Sequence, residues 1–208
     1  MVAAGQGALV RYLMPKDRPG QRVGLLGGSF DPPHEGHVHI TLQALRRLRL
    51  DAVWWLISPG NPLKSRGPAP ISRRHLACEE LFQHPRVFYT DIEAMLGTRY
   101  TAETLLELQR LYPRIRFTWL MGADNMAEFH RWEDWNLIMR MVPVGVFSRP
   151  GENLSAGLSR AAGRYARFRW PGGAGALVPK QNAPAWVLLG GPTREISSTD
   201  IRQSGGWR

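Results

Sequence analysis

The feature that most constrains this chain is an alternation of two periodicities. Beyond Arg22, short apolar runs at 23–26, 52–58, 87–90, 115–121, 142–147 and 185–189 read as strands. Between the early ones lie segments with helical spacing. Val38, Leu42, Leu45 and Leu48 form one stripe at steps of three and four; 72–82 is a second segment, and 101–111, with Leu105 and Leu108, a third. Strands separated by helices join most simply through right-handed crossovers, which predicts an α/β fold: a parallel sheet flanked by helices. Ligands of such folds sit beyond the carboxyl ends of the strands, near the point where strand order reverses. The segments to inspect are therefore 27–37, 59–64, 91–101, 122–125 and 190–202.

The 208 residues suffice for one well-buried domain, and no repeat or linker divides them. We expect that domain over 23–208, preceded by a loose, flexible extension over 1–22. The stretch 150–184 is the least regular, with Pro-Gly-Gly-Ala-Gly at 171–175, and is expected to form a surface insertion. A single cysteine, Cys78, excludes an intrachain disulfide and fits a reducing compartment. No run approaches the ~18 apolar residues of a membrane span. The first residues lack the leading charge and apolar core of a secretion signal, so a cytoplasmic protein without membrane partners is expected. Net charge is +10, from 24 arginines and 3 lysines spread along the chain. That spread reads first as a solvated surface and second as attraction to polyanions, nucleic acid or phosphorylated metabolites.

The most unusual stretch is GGSFDPPHEGHVHI, residues 27–40, at a predicted strand-to-helix turn. Gly27 and Gly28 let a ligand approach the main chain, Pro32 and Pro33 stiffen the loop, and a helix starting near Glu35 presents free amides suited to phosphate. On a helix, positions 34 and 37 lie about 60° apart and positions 37 and 39 about 160° apart. His34 and His37 therefore share a target while His39 faces elsewhere. No cysteine or acidic pair nearby completes a tetrahedral metal site, so phosphate contact is the preferred reading and no metal ligand is assigned. Near the other end stands ISSTDIR, residues 196–202. Ser198 and Thr199 suit a helix N-cap, and Arg202 follows one turn later, so hydroxyls, amides and a guanidinium converge on one anion.

GSFDPPHEGH resembles the G-x-F-D-P-x-H-x-G-H signature of the nucleotidylyltransferase superfamily, and ISSTDIR is similar to its I-S-S-T-x-[IL]-R motif. The resemblance implies a Rossmann-like domain in which His34 and His37 contact the triphosphate, Gly28, Ser29 and Phe30 line the nucleotide, and Ser198, Thr199 and Arg202 grip the phosphates. The middle of the chain resembles the bacterial nicotinate-nucleotide adenylyltransferase family. TRYTAETL (98–105) is similar to its S-Y-T-x-D-T segment, with Arg99 and Glu103 departing from the pattern, and this places Tyr100 and Thr101 at the pyridine nucleotide. WLMGADN (119–125) adds Gly122 and Asp124, and FHRWEDW (129–135) adds Trp132 as a stacking ring. Trp135 reads as ordinary core. Asn61-Pro62-Leu63-Lys64 stands where the family has Pro-Pro-His-Lys, which keeps Lys64 as a phosphate contact.

The implied reaction joins ATP and nicotinate mononucleotide, with magnesium on the triphosphate as cofactor. The acceptor's own 5′-phosphate is the nucleophile, so the chain must supply alignment and positive charge rather than a base. His34, His37, Lys64 and Arg202 are the residues assigned that task. Two alternatives stand beside this reading. One is phosphopantetheine adenylyltransferase, which shares both signatures. The other is a nucleic-acid-binding protein using RYARFRW (164–170), where arginines alternate with aromatics, although no nucleic acid is the expected outcome. Oligomeric state is left open, a homo-oligomer included.

Overall fold

The computed structural model describes residues 14–16, 18–60, 67–148, 153–191, 198–205 and 207. Strands β1 (Arg22–Gly28), β2 (Ala52–Ile57), β3 (Val87–Thr90), β4 (Arg116–Gly122), β5 (Val144–Phe147), β6 (Arg169–Trp170) and β7 (Trp186–Leu189) form one seven-stranded sheet. Its order is β3-β2-β1-β4-β5-β7-β6, and every pairing is parallel. The chain leaves β1 in one direction to β2 and β3, then returns to the opposite side of β1 as β4. Strand order reverses there, so a crevice opens above the carboxyl ends of β1 and β4.

β2 shows why the apolar runs become strands buried on both faces. Trp54 and Leu56 enter one core with Leu25, Phe117, Trp119 and Met121, while Val53, Trp55 and Ile57 enter a second with Leu26 and Leu120. Helix α1 (Glu35–Arg47) seals the second core with Ala44 and Leu45, and α2 (Ile71–Leu81) adds Cys78. On the first face lie α3 (Ile92–Leu96), α4 (Thr101–Leu111), α5 (Ala123–Glu128) and α6 (Trp135–Met141). Trp135 packs there, its ring centroid 6.2 Å from that of Phe129. Gly27 is needed where it stands, because a Cβ would fall 2.5 Å from the Trp119 ring.

Three expectations are corrected. Leu42 is exposed, because it sits about 40° beyond Val38, off the arc that Thr41, Ala44 and Leu45 bury. From residue 153 on, the stretch expected as a surface insertion is not one. It folds as α7 (Asn153–Leu158), α8 (Arg160–Arg164), β6 and a 3₁₀ segment (Gly172–Lys180), and it sends Ala156, Ala161, Ala162 and Tyr165 into one core and Val178 into the other. Its alanines and glycines are too small to register as an apolar stripe. Finally, Met14 is buried against the first core, its sulfur 3.2 Å from the Thr90 hydroxyl, so the expected loose extension does not reach that residue. Residues 1–13 lie outside the described ones.

In 164–170 the aromatics turn inward: Tyr165 is buried, and Phe168 and Trp170 pack against the two cores. The arginines and Ala166 are left exposed, which is not the alternating platform that single-stranded nucleic acid stacks on. Among the described residues no helix is long and apolar enough to cross a membrane.

Candidate active site

A cavity of about 480 Å³ opens above β1 and β4. Gly28, Ser29, His34, His37, Tyr100, Thr101, Gly122, Asp124, Trp132, Ser198 and Thr199 all line it. Residues far apart in sequence are thus brought to one place, at the reversal of strand order.

The histidine end is built from the first turn. His34 is the N-cap of α1, and its Nδ1 accepts the Gly36 amide at 3.1 Å. His37, three residues on, accepts the His34 amide through its own Nδ1 at 3.1 Å. The two rings lie 3.9 Å apart between centroids. With Nδ1 accepting in both, the ring proton sits on Nε2, so each histidine offers an N–H donor. The two side chains satisfy two helix-start amides reciprocally, as a Ser/Glu capping pair would. His39 lies off this cavity, beside a small groove with Gln43 and Arg47.

Arg74, which no sequence pattern marked, holds this end together. It is 1% exposed. Its guanidinium donates to the carbonyls of Ser29 (2.6 Å), Ser58 (2.8 Å) and Ala69 (2.7 Å), fixing the loops that follow β1 and β2. Burial pulls its pKa below the ordinary arginine value, opposed by the nearby Asp31 carboxylate. Asp31 in turn accepts the Ala69 amide at 3.2 Å. Helix α9 (Ser198–Gln203) joins from the far end of the chain: Ser198 donates to the Pro32 carbonyl at 2.9 Å, and Arg202 donates to the Asp31 carbonyl and to Thr199 Oγ1.

Phe30 departs from expectation. It is 1% exposed and does not line the cavity; its ring stacks on Trp55 at 4.9 Å and tilts against His37 at 4.6 Å. A φ of 47°, unusual for a non-glycine residue, accompanies this inward turn of the loop. Phe30 thus supports His37 from behind. Lys64 lies outside the described residues.

The opposite end is framed by the start of α4. Glu103 Oε2 accepts the amides of Arg99 (2.9 Å) and Tyr100 (3.2 Å), so the departure from aspartate still serves the helix start. The Thr104 hydroxyl contacts that of Thr98 at 2.8 Å and donates to the Tyr100 carbonyl at 3.3 Å. Glu93, 7% exposed, faces this cavity, and sequence reasoning did not single it out although it falls within the inspected 91–101 segment. Burial pushes its carboxyl up to about 7, against a hydrogen bond from Thr104 that lowers it. Trp132 is half-buried, packed edge-on against Phe129 (5.3 Å) and Trp119 (6.3 Å).

Comparison with known proteins agrees with this architecture. Residues 25–204 match the cytidylyltransferase-like family. The chain belongs to that family. A Ruegeria pomeroyi protein named "Probable nicotinate-nucleotide adenylyltransferase" is 56% identical over 198 residues, 95% of this chain and 93% of its own. A Cereibacter sphaeroides protein of the same name is 59% identical over 186 residues, covering 89% of this chain and 98% of its own. The fold is similar to that of Plasmodium falciparum nicotinic acid mononucleotide adenylyltransferase complexed with NaAD, with a TM-score of 0.68 at 16% identity over 88% of this chain and 83% of that one. Within the wider family, then, the chain belongs to the nicotinate-nucleotide adenylyltransferases.

Proposed function

We propose that this protein transfers the adenylyl group of ATP to nicotinate mononucleotide, giving nicotinate adenine dinucleotide and pyrophosphate. One observation carries the reading: a single cavity is lined by a histidine pair with Ser198 and Thr199 and also by Tyr100, Thr101 and Trp132. Its volume falls within the ~300–1,000 Å³ range of small-molecule sites. The names of relatives at 56% and 59% identity favour the pyridine nucleotide over phosphopantetheine as acceptor.

The acceptor 5′-phosphate is ionised at neutral pH and attacks the α-phosphorus of ATP. The bond from that phosphorus to the bridging oxygen breaks, and pyrophosphate leaves with the electron pair. No proton needs to move, so the chain acts by alignment and charge. The Nε2–H groups of His34 and His37 meet the phosphate oxygens as negative charge shifts toward the leaving group. Lys64 and Arg202 supply cationic charge, Ser198 and Thr199 supply hydroxyls, and Gly28 and Ser29 admit the nucleotide to the main chain. Tyr100, Thr101 and Trp132 hold the pyridine ring, with Gly122 and Asp124 beside the mononucleotide.

Two unit negative charges ~4 Å apart repel by ~4 kcal/mol at an effective dielectric near 20. Left unopposed, that is about three decades in rate. Magnesium arrives on the triphosphate as part of the substrate and offsets some of this charge. No protein ligand is assigned to it, since phosphate oxygens and water meet its demand for hard oxygen donors. We assign the protein to the cytoplasm, where the buried Cys78 thiol, pushed up to about 12 by burial, stays reduced.

The test is pyrophosphate release with ATP and magnesium, comparing nicotinate mononucleotide, nicotinamide mononucleotide and phosphopantetheine. Fast release with the first supports the reading. Release with phosphopantetheine alone would move the acceptor assignment while leaving the phosphate end intact.

A further inference from the structure

Helix α9 poses a physical problem. It spans only Ser198–Gln203, and none of its residues is buried. A helix this short, with no apolar face against the core, does not hold its place by packing or by its own propensity. Yet two of its residues, Ser198 and Thr199, line the same cavity as His34 and His37.

Beyond α9, and beyond the residues 25–204 that the family match covers, stands Trp207. Its indole Nε1 donates to Asp31 Oδ1 at 2.7 Å. Its ring lies beneath the Arg73 guanidinium, 4.3 Å from Cζ to the centroid, so α2 holds the ring from the other side. The same Asp31 oxygen accepts the Ala69 amide, and Asp31 Oδ2 is 3.8 Å from Arg202. Asp31 thereby joins four segments: the first turn, the loop before α2, the C-terminal helix and the residue that follows it. Trp207 brings a large aromatic ring to this junction, and its partner Asp31 stands three positions upstream of His34.

We propose that Trp207 is a positioning residue for the triphosphate end. It pins the chain beyond α9 to Asp31 and Arg73, so that Ser198 and Thr199 are presented to the cavity that His34 and His37 line, with Arg202 held against Asp31 and Thr199. This rests on the reading of that cavity as the ATP site. Trp207 does not line the cavity, so it acts through α9 and not by touching the nucleotide.

The experiment uses the full chain with Trp207→Phe, which keeps a ring under Arg73 but lacks the N–H, and Trp207→Ala, which removes both contacts. MgATP binding is measured by calorimetry, KM separately for ATP and nicotinate mononucleotide, and Tm alongside. A hydrogen bond to a charged group together with a cation–π contact predicts about a tenfold loss of MgATP affinity in Trp207→Ala and about a threefold loss in Trp207→Phe. KM for nicotinate mononucleotide should change by less than about twofold, since α9 does not frame the pyridine end. Unchanged MgATP affinity in both variants would overturn the proposal while leaving the proposed function standing. So would equal increases in both KM values with a lowered Tm, the mark of a general structural role. Wild-type protein that binds MgATP but does not adenylylate the mononucleotide would remove the acceptor assignment alone, because calorimetry still reads the role of Trp207. Wild-type protein that binds no MgATP would overturn both.

Discussion

At the histidine end of the cleft, loops are held by directed polar contacts: Arg74 to three carbonyls, His34 and His37 to two amides, Asp31 to an amide and an indole. At the opposite end, around Trp132, the walls are held mainly by packing, and the hydrogen bonds of Glu103 and Thr104 are gathered at the start of α4. Trp132 leans on Phe129 and Trp119, and α4 sits on Leu105 and Leu108. One carboxyl, Glu93, is buried among these groups. On the proposed reading the two ends bind different chemistry, and their construction differs in the same sense. A polyanion needs donors fixed in direction, and a fixed donor needs a scaffold with hydrogen bonds of its own. A flat aromatic ring needs a surface, which packing supplies with more tolerance. The polar end should therefore fail abruptly and the packed end by degrees.

Arg74→Ala is expected to break the contrast most severely. It strands three carbonyls that a buried cation satisfied, and a loss of about 4 kcal/mol in urea unfolding is expected. Arg74→Lys restores the charge but not the three-way geometry, so it should recover only part of that loss; full recovery would show that charge alone matters. His37→Ala is next. Removing one preorganised donor to a developing charge should lower kcat by about 10²–10³-fold with the fold intact, and normal turnover would sink its role.

Glu93→Gln sharpens the comparison from the packed end. Burial raises the Glu93 carboxyl to about 7 from an ordinary 4.5. Below about pH 4.5 both folded and unfolded chains hold the proton, and the buried group carries no penalty. As pH rises through the window from 4.5 to 7 the unfolded chain releases its proton first, so stability falls, and the loss is complete above the folded value. Glutamine does not titrate. The variant should match wild type near pH 4 and exceed it at pH 8 by roughly 2–3 kcal/mol in denaturant unfolding. A pH-independent difference would refute the burial argument. The smallest effect is expected for Trp132→Phe, which keeps a stacking surface. KM for nicotinate mononucleotide should rise by about fivefold, near 1 kcal/mol, with KM for ATP unmoved.

The same contrast explains what could be read in advance. The histidine pair, the helix start at Glu35 and the hydroxyl–arginine run were legible because each lies within a few residues of its partners. The α/β order was legible because runs such as 52–57 are apolar on both faces, and α4 begins and ends where its leucine spacing implied. Arg74 was not legible, since its acceptors follow two different strands and one of them, Ser29, is 45 positions away. Glu93 was hidden for a related reason: its sequence neighbours do not announce that α4 will cover it. Phe30 misled because a single positive φ turns its ring from ligand to core. The segment 150–184 misled because it packs through alanine and glycine, whose side chains carry almost no periodic signal.

The tie between Asp31 and Arg202 also has a consequence in time. The two residues are 171 positions apart. At roughly 5–20 residues per second, a growing chain displays its histidine loop for about ten to thirty seconds before the closing helix is made. Over that interval the nascent protein carries the histidine wall of the cleft without the facing one. A chain interrupted short of Ser198 lacks the wall of the cleft that Ser198 and Thr199 supply.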